Sequence, residues 1–149
     1  MKENHFLDDG AYLVVKILIQ MARLRPRSIF SLIESLREPV EDEEFRFKVG
    51  VPDFADYGKK VIEGLTQYAE AQPGWTLVKP NFEGVRISLD EERGNGWLLL
   101  RLSLHDPVLP LNIQSDKAGG VKQIGAALLE FAKGFDGLDL SALTKYCLA

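Results

Sequence analysis

With one cysteine, Cys147 near the C-terminal end, the chain can form neither an internal disulfide framework nor a cysteine-based zinc site. Histidine is nearly as scarce, and HExxH, GxGxxG and GxxxxGK[ST] are all absent. The zinc-hydrolase, dinucleotide-binding and P-loop classes lose their signatures with them. Apolar runs such as Ala11 to Leu24 are short and interrupted by Lys16, Gln20 and Arg23, so no segment reads as membrane-spanning, and no basic-then-apolar leader opens the sequence. A cytoplasmic protein is the expectation. Excess positive charge is missing too: 18 Lys and Arg stand against 22 Asp and Glu, a net charge of −4. Without a basic field to draw in phosphodiester backbones, nucleic acid is not expected as a partner.

What remains is an ordinary globular composition, 46% hydrophobic and 27% charged over 149 residues, enough for one core. Asp8-Asp9-Gly10 reads as a helix cap rather than a metal site, because a helix N-terminus favours carboxylates. The helix it opens carries Leu13, Val14, Ile17, Leu18 and Met21 at helical spacing, with Tyr12, Val15, Ile19 and Ala22 leaving only a thin polar stripe. Such a helix needs cover on several sides, and self-association through it is expected. Ser28 is expected to cap a second, shorter helix bearing Ile29, Phe30, Leu32, Ile33 and Leu36, and the acidic Glu41 to Glu44 stretch to be a solvated linker.

From Phe45 the hydrophobic period changes to two. Phe45, Phe47, Val49 and Val51 mark a strand; Asp53 caps a helix with Tyr57, Val61, Ile62, Leu65 and Tyr68 on one face; Val85, Ile87 and Leu89 mark another strand. Trp97 to Leu104 and Val108 to Ile113 read as two further strands, Pro110 pointing to an edge or a bulge. Asp116 is expected to cap a last long helix with Val121, Ile124, Leu128, Leu129 and Phe131, followed by a short helical tail from Ser141. Strands in tight succession pair antiparallel, so the class is α+β, with two helices on one face of the sheet and N-terminal helices before it. The division expected is 1–40 for the leading helices and 41–149 for the sheet domain.

Between the last two strands lies "RLSLHDP". A turn needs only Gly, Asn, Asp or Pro, whereas Arg101, Ser103 and His105 add a guanidinium, a hydroxyl and an imidazole. These are the parts of an anion site, since arginine can grip two phosphate oxygens at once. The same residues also fit a plain hairpin in which Arg101 pairs with Asp106 or a neighbouring Glu and Ser103 points outward.

Three stretches together resemble the C-terminal part of the α-D-phosphohexomutase family, the phosphomannomutases and phosphoglucomutases. "FLDDGAYLVVKILIQM" is similar to the Asp-Asp-Gly helix that ends that family's third domain, and "EGVRISL" with "GWLLLR" to two strands of its fourth. "RLSLHDPVLPLNIQSD" resembles that domain's phosphate-binding loop, usually Arg-x-Ser-Gly/Asn-Thr-Glu/Thr-Pro, with the strand and helix after it. The resemblance covers essentially the whole chain and implies a TATA-binding-protein-like antiparallel sheet. It implies that Arg101 and Ser103, with Leu104 and His105 in the positions usually held by Gly/Asn and Thr, contact a hexose phosphate such as mannose or glucose 1- or 6-phosphate. Leu104 could contribute only its backbone there. No catalytic or metal-binding residue is implied in this chain. The phosphoserine, its magnesium and a hexose bisphosphate activator belong to the parent enzyme, whose remaining domains would be this chain's partners. The family's sugar-binding loop is also absent, His5 standing too near Asp8 to be its histidine, so the chain is expected to begin just past that loop and to be inactive alone. The competing expectation is a non-catalytic anion-binding or protein-interaction module with a diverged loop.

Overall fold

The computed structural model describes residues 9–149; Asp8 and His5 lie outside the described residues. The chain divides into two units, Met1–Glu38 and Pro39–Ala149. In the first, α1 (Gly10–Leu24) starts at Asp9, whose Oδ1 accepts the Tyr12 N–H at 3.0 Å. Leu13, Val14, Val15, Ile17, Leu18, Ile19 and Met21 are all exposed, and α1 buries none of its residues. Ser28 caps only a single 3-10 turn, Ile29–Leu32, not the expected longer helix. The backbone here closes i to i−3 bonds, Ile33 to Phe30 and Leu36 to Ile33. The apolar span Ile29 to Leu36 falls short of the roughly 12–15 residues at which an isolated helix holds in water, and β-branched Ile29 and Ile33 add to the cost.

The second unit is an α+β layer pair. Six antiparallel strands, β1 (Glu41–Val49), β2 (Trp75–Leu77), β3 (Val85–Leu89), β4 (Gly96–Leu100), β5 (Val108–Ser115) and β6 (Leu138–Asp139), lie in the order β2-β3-β4-β5-β1-β6. Register places Phe45 opposite Leu111, Leu111 opposite Leu100 and Leu100 opposite Val85, so one row of buried side chains crosses four strands on one face. That face is covered by α2 (Phe54–Ala71) through Val61, Leu65 and Ala69, and by α3 (Gly120–Ala132) through Val121, Ile124, Leu128 and Leu129. Two helices are expected over the sheet, and a third joins them. The tail α4 (Ser141–Leu148) buries Leu143 and sets Tyr146 edge-on to Phe45 at 5.4 Å. Each fully buried aliphatic or aromatic side chain of this layer contributes roughly 1.5–3 kcal/mol.

Three expectations are corrected by long-range contacts. Glu41 to Glu44 is not a linker but the first half of β1, because Glu41 Oε1 accepts the Gly119 N–H at 2.6 Å and Oε2 the Val121 N–H at 2.9 Å. This carboxylate caps α3, which therefore begins at Gly120 with no local side-chain cap, and Asp116 does not fill that role. Pro110 lies in the central strand β5, between β4 and β1, not at an edge. It is tolerated because the β4 ladder ends with the Leu100–Leu111 pair, one residue before the N–H that proline lacks would be used. The α3 N-terminus is fixed a second time by buried Ser115, whose Oγ accepts the Lys117 N–H at 3.0 Å and donates to the Gly94 carbonyl at 2.6 Å. A Cβ on Gly120 would collide with that hydroxyl.

Glu41→Ala is expected to destabilise the sheet unit by about 1–2 kcal/mol, the usual worth of a helix N-cap carboxylate in a half-buried setting, whereas exposed Glu44→Ala stays within about 0.5 kcal/mol. Urea unfolding checks the pair; equal midpoints for the two variants would remove Glu41 from this role.

Candidate functional site

Arg101 to Pro107 leaves the end of β4 and returns into β5, held at its base by two backbone bonds. Arg101 N–H donates to the Pro110 carbonyl at 2.9 Å and Ser103 N–H to the Val108 carbonyl at 3.1 Å. Leu102 turns inward between them and seats on α2, where a Cβ added to Gly58 would stand 2.5 Å from its Cδ1. The alternation of a strand thus continues two residues past β4: Arg101 and Ser103 share the side opposite Leu102. Facing them is the β2–β3 connection, which Asn81 folds by donating from Nδ2 to the Gly84 carbonyl at 3.1 Å and accepting the Glu83 N–H at 3.4 Å. Gly84, at φ +112°, passes so close to the Leu100 carbonyl that a side chain would strike it. Only glycine brings the two segments together this tightly.

The result is a cleft of about 550 Å³ lined by Arg101, Ser103, Leu104, His105, Phe82 and Glu83, with Ile62, Leu102 and Pro110 among its apolar walls. All four expected site residues therefore line one cavity. Arg101 is only partly satisfied there. Its Nη1 lies 3.6 Å from Glu83 Oε2, the side chain is 39% exposed, and its Nε is buried with no hydrogen-bond partner. The carboxylate beside it is Glu83 rather than Asp106. A long, exposed ion pair of this kind is worth about 1 kcal/mol at most, so it holds Arg101 only lightly. A buried N–H without an acceptor, by contrast, carries a desolvation penalty.

Ser103 and the loop amides meet each other rather than an open point. Its Oγ accepts the His105 N–H at 3.4 Å and the Asp106 N–H at 3.2 Å. The hydroxyl thus stands where an anion's oxygen would stand relative to those two donors, and its own proton remains able to donate outward. An anion that takes the amides must turn Ser103 about χ1. His105 and Leu104 are exposed, and no hydrogen bond from the Leu104 N–H is made among the described residues.

Glu83 and Gly84 open the "EGVRISL" stretch but are given no site role there, Phe82 has no signature at all, and it is the β3–β4 pairing that brings them to Arg101. Cys147 does not join the cleft: burial pushes its thiol up, away from the reactive thiolate, and Sγ contacts the Lys122 carbonyl at 3.7 Å. Among the described residues no three His, Cys, Asp or Glu side chains gather as a metal site would require, and no helix is long and apolar enough to cross a membrane.

No family model matches the sequence, and neither does any curated protein. Among solved structures the chain is similar to a phosphoglucomutase/phosphomannomutase family protein from Burkholderia thailandensis, with a TM-score of 0.60 and 21% identity. The match covers 89% of this chain and 25% of that one, so the chain spans about a quarter of the length of that protein. At this identity the likeness is one of fold.

Ser103→Ala is expected to leave stability within about 1 kcal/mol while raising amide hydrogen exchange at His105 and Asp106 several-fold, since each lost bond is worth about 0.5–1.5 kcal/mol. Unchanged protection at both amides would show that the hydroxyl does not hold the loop.

Proposed function

We propose that this chain is the C-terminal, substrate-phosphate-binding domain of a phosphomannomutase/phosphoglucomutase-type isomerase. The observation that carries the proposal is Arg101, with a buried and unpartnered Nε, beside Ser103 in the loop leaving β4. The fold around that loop is similar to part of a phosphoglucomutase/phosphomannomutase family protein. In such an enzyme a phosphoserine passes its phosphoryl group to a hexose phosphate, the bisphosphorylated sugar turns over, and the other phosphate returns to the serine. Transfer of this kind is catalysed chiefly by positioning and electrostatics, so the group that holds the non-reacting phosphate sets which end of the sugar faces the serine.

On this reading Arg101 grips the phosphate through the exposed part of its guanidinium, and the Ser103 hydroxyl and the Leu104 N–H donate from the loop. The His105 N–H joins once Ser103 turns away. The magnesium and the hexose bisphosphate activator act on the rest of the parent enzyme, together with the phosphoserine. This chain contributes grip and closure, and alone it is inactive. The apolar α1 is then the trailing helix of the preceding domain, which would cover Leu13, Ile17, Leu18 and Met21.

In the multidomain parent assayed with mannose 1-phosphate and glucose 1-phosphate, Arg101→Ala is expected to lower kcat/KM by about 10- to 100-fold, one or two charge-assisted contacts at a factor of ten per ~1.4 kcal/mol. Ser103→Ala does less. Undisturbed mutase kinetics in Arg101→Ala would leave the loop an ordinary hairpin. The chain by itself is expected to self-associate through α1 as its concentration approaches the millimolar range. Light scattering reads this, and a Leu18→Glu variant restores the monomer; a wild type that stays monomeric there counts against the exposed face.

A further inference from the structure

Glu83 is the only acidic side chain among the described residues that line the cleft, and it stands against the cleft's one arginine, Oε2 lying 3.6 Å from Arg101 Nη1. Its backbone has little freedom. Asn81 Oδ1 accepts the Glu83 N–H at 3.4 Å, Asn81 Nδ2 donates to the Gly84 carbonyl at 3.1 Å, and Gly84 itself is wedged against the Leu100 carbonyl. The side chain is exposed and makes no other polar contact among the described residues. A phosphate that reaches the exposed part of the Arg101 guanidinium displaces this carboxylate, yet the fixed backbone keeps it within a side chain's length of the newcomer. Two anions are then neighbours. A carboxylate and a phosphate dianion offer only acceptors to each other, so what reconciles them is a donor, and a hydroxyl on the ester's organic group is one.

Resting on the phosphate reading of this loop, we infer that Glu83 is a specificity-determining residue of the cleft, selecting phosphate esters that carry a hydroxyl within reach of the phosphate over esters that carry none. For the first kind the carboxylate exchanges one charge-assisted contact, Arg101, for another, the hydroxyl. For the second it gives up the arginine and gains only water, with a like charge beside it. A cleft of about 550 Å³ has room for a phosphate together with the organic group that brings the hydroxyl. Attraction comes from Arg101 and choice from Glu83, so the two are separable by experiment.

The 149-residue chain is titrated with methyl phosphate and glucose 1-phosphate, following the amide resonances of residues 83–84 and 101–106. Glucose 1-phosphate is expected to bind about five- to tenfold more tightly than methyl phosphate, the yield of one charge-assisted hydrogen bond in an exposed cleft. In Glu83→Ala methyl phosphate gains up to about fivefold, because the exposed ion pair no longer has to be broken, while glucose 1-phosphate gains nothing or weakens. The preference collapses accordingly, and in Arg101→Ala binding of both esters is lost. A glucose-to-methyl ratio that is the same in the wild type and in Glu83→Ala overturns the inference while leaving the phosphate site standing, and makes Glu83 a plain counter-ion. If neither ester shifts these amides in an Arg101-dependent way, the phosphate reading itself falls and takes the inference with it.

Discussion

Strand β5 lies between β4 and β1, and the place where its hydrogen bonding to β4 stops determines everything at the candidate site. Leu111 pairs with Leu100, but Pro110 has no N–H to return to the next residue of β4. The ladder therefore has to end at Arg101, whose own N–H still reaches the Pro110 carbonyl. One bond is kept and one is lost. Arg101 is thus anchored by its backbone to the most buried strand of the sheet, and the Ser103 N–H bond to the Val108 carbonyl holds the base of the loop that follows. A residue with an N–H at position 110 could complete the Arg101 pair with its second bond and so extend the regular β4–β5 ladder by one residue.

That anchoring transmits core rigidity to a surface group. Leu102, between the two polar residues, seats over Gly58 of α2, and α2 is fastened to the sheet by Val61, Leu65 and Ala69. The Tyr57 hydroxyl, one residue before Gly58, accepts the Gly137 N–H at 3.0 Å and ties the same end of α2 to the turn after α3. Arg101 consequently sits on a rigid base, and its Nη1 contact to Glu83 is long and exposed enough to add little to that hold.

The parts legible in the sequence are those set by local pattern. Val85, Ile87 and Leu89 alternate as buried positions of β3, and Asp53 caps α2 by accepting the Asp56 N–H at 3.4 Å. Arg101 and Ser103 are legible as a polar excess over what a turn requires. Glu41 to Glu44 misleads for a physical reason: four consecutive carboxylates resemble a solvated tether, but every second one turns inward along a strand, and the α3 N-terminus receives Glu41 from a point 78 residues away. No window short enough for periodicity contains both partners. Phe82 escapes notice, and Glu83 is noticed only as the start of a strand motif, for the same reason: their place at the site arises only when β3 and β4 pair and fold two connections onto one cleft.

Electrostatics set the character of any anion site in this place. Arg101 stands in a chain of net charge −4, with Glu83 beside its guanidinium and Asp106 in its own loop. An incoming phosphate gains the bidentate grip of one arginine but must push against those carboxylates, and the exposed cleft screens attraction and repulsion alike. Long-range attraction therefore does little, and the weight falls on short-range contacts: the exposed part of the Arg101 guanidinium and the amides that Ser103 now occupies. Each of these strengthens as water leaves. A site composed in this way binds weakly while open and gains affinity when a covering surface excludes solvent, which couples ligand capture to closure rather than to encounter.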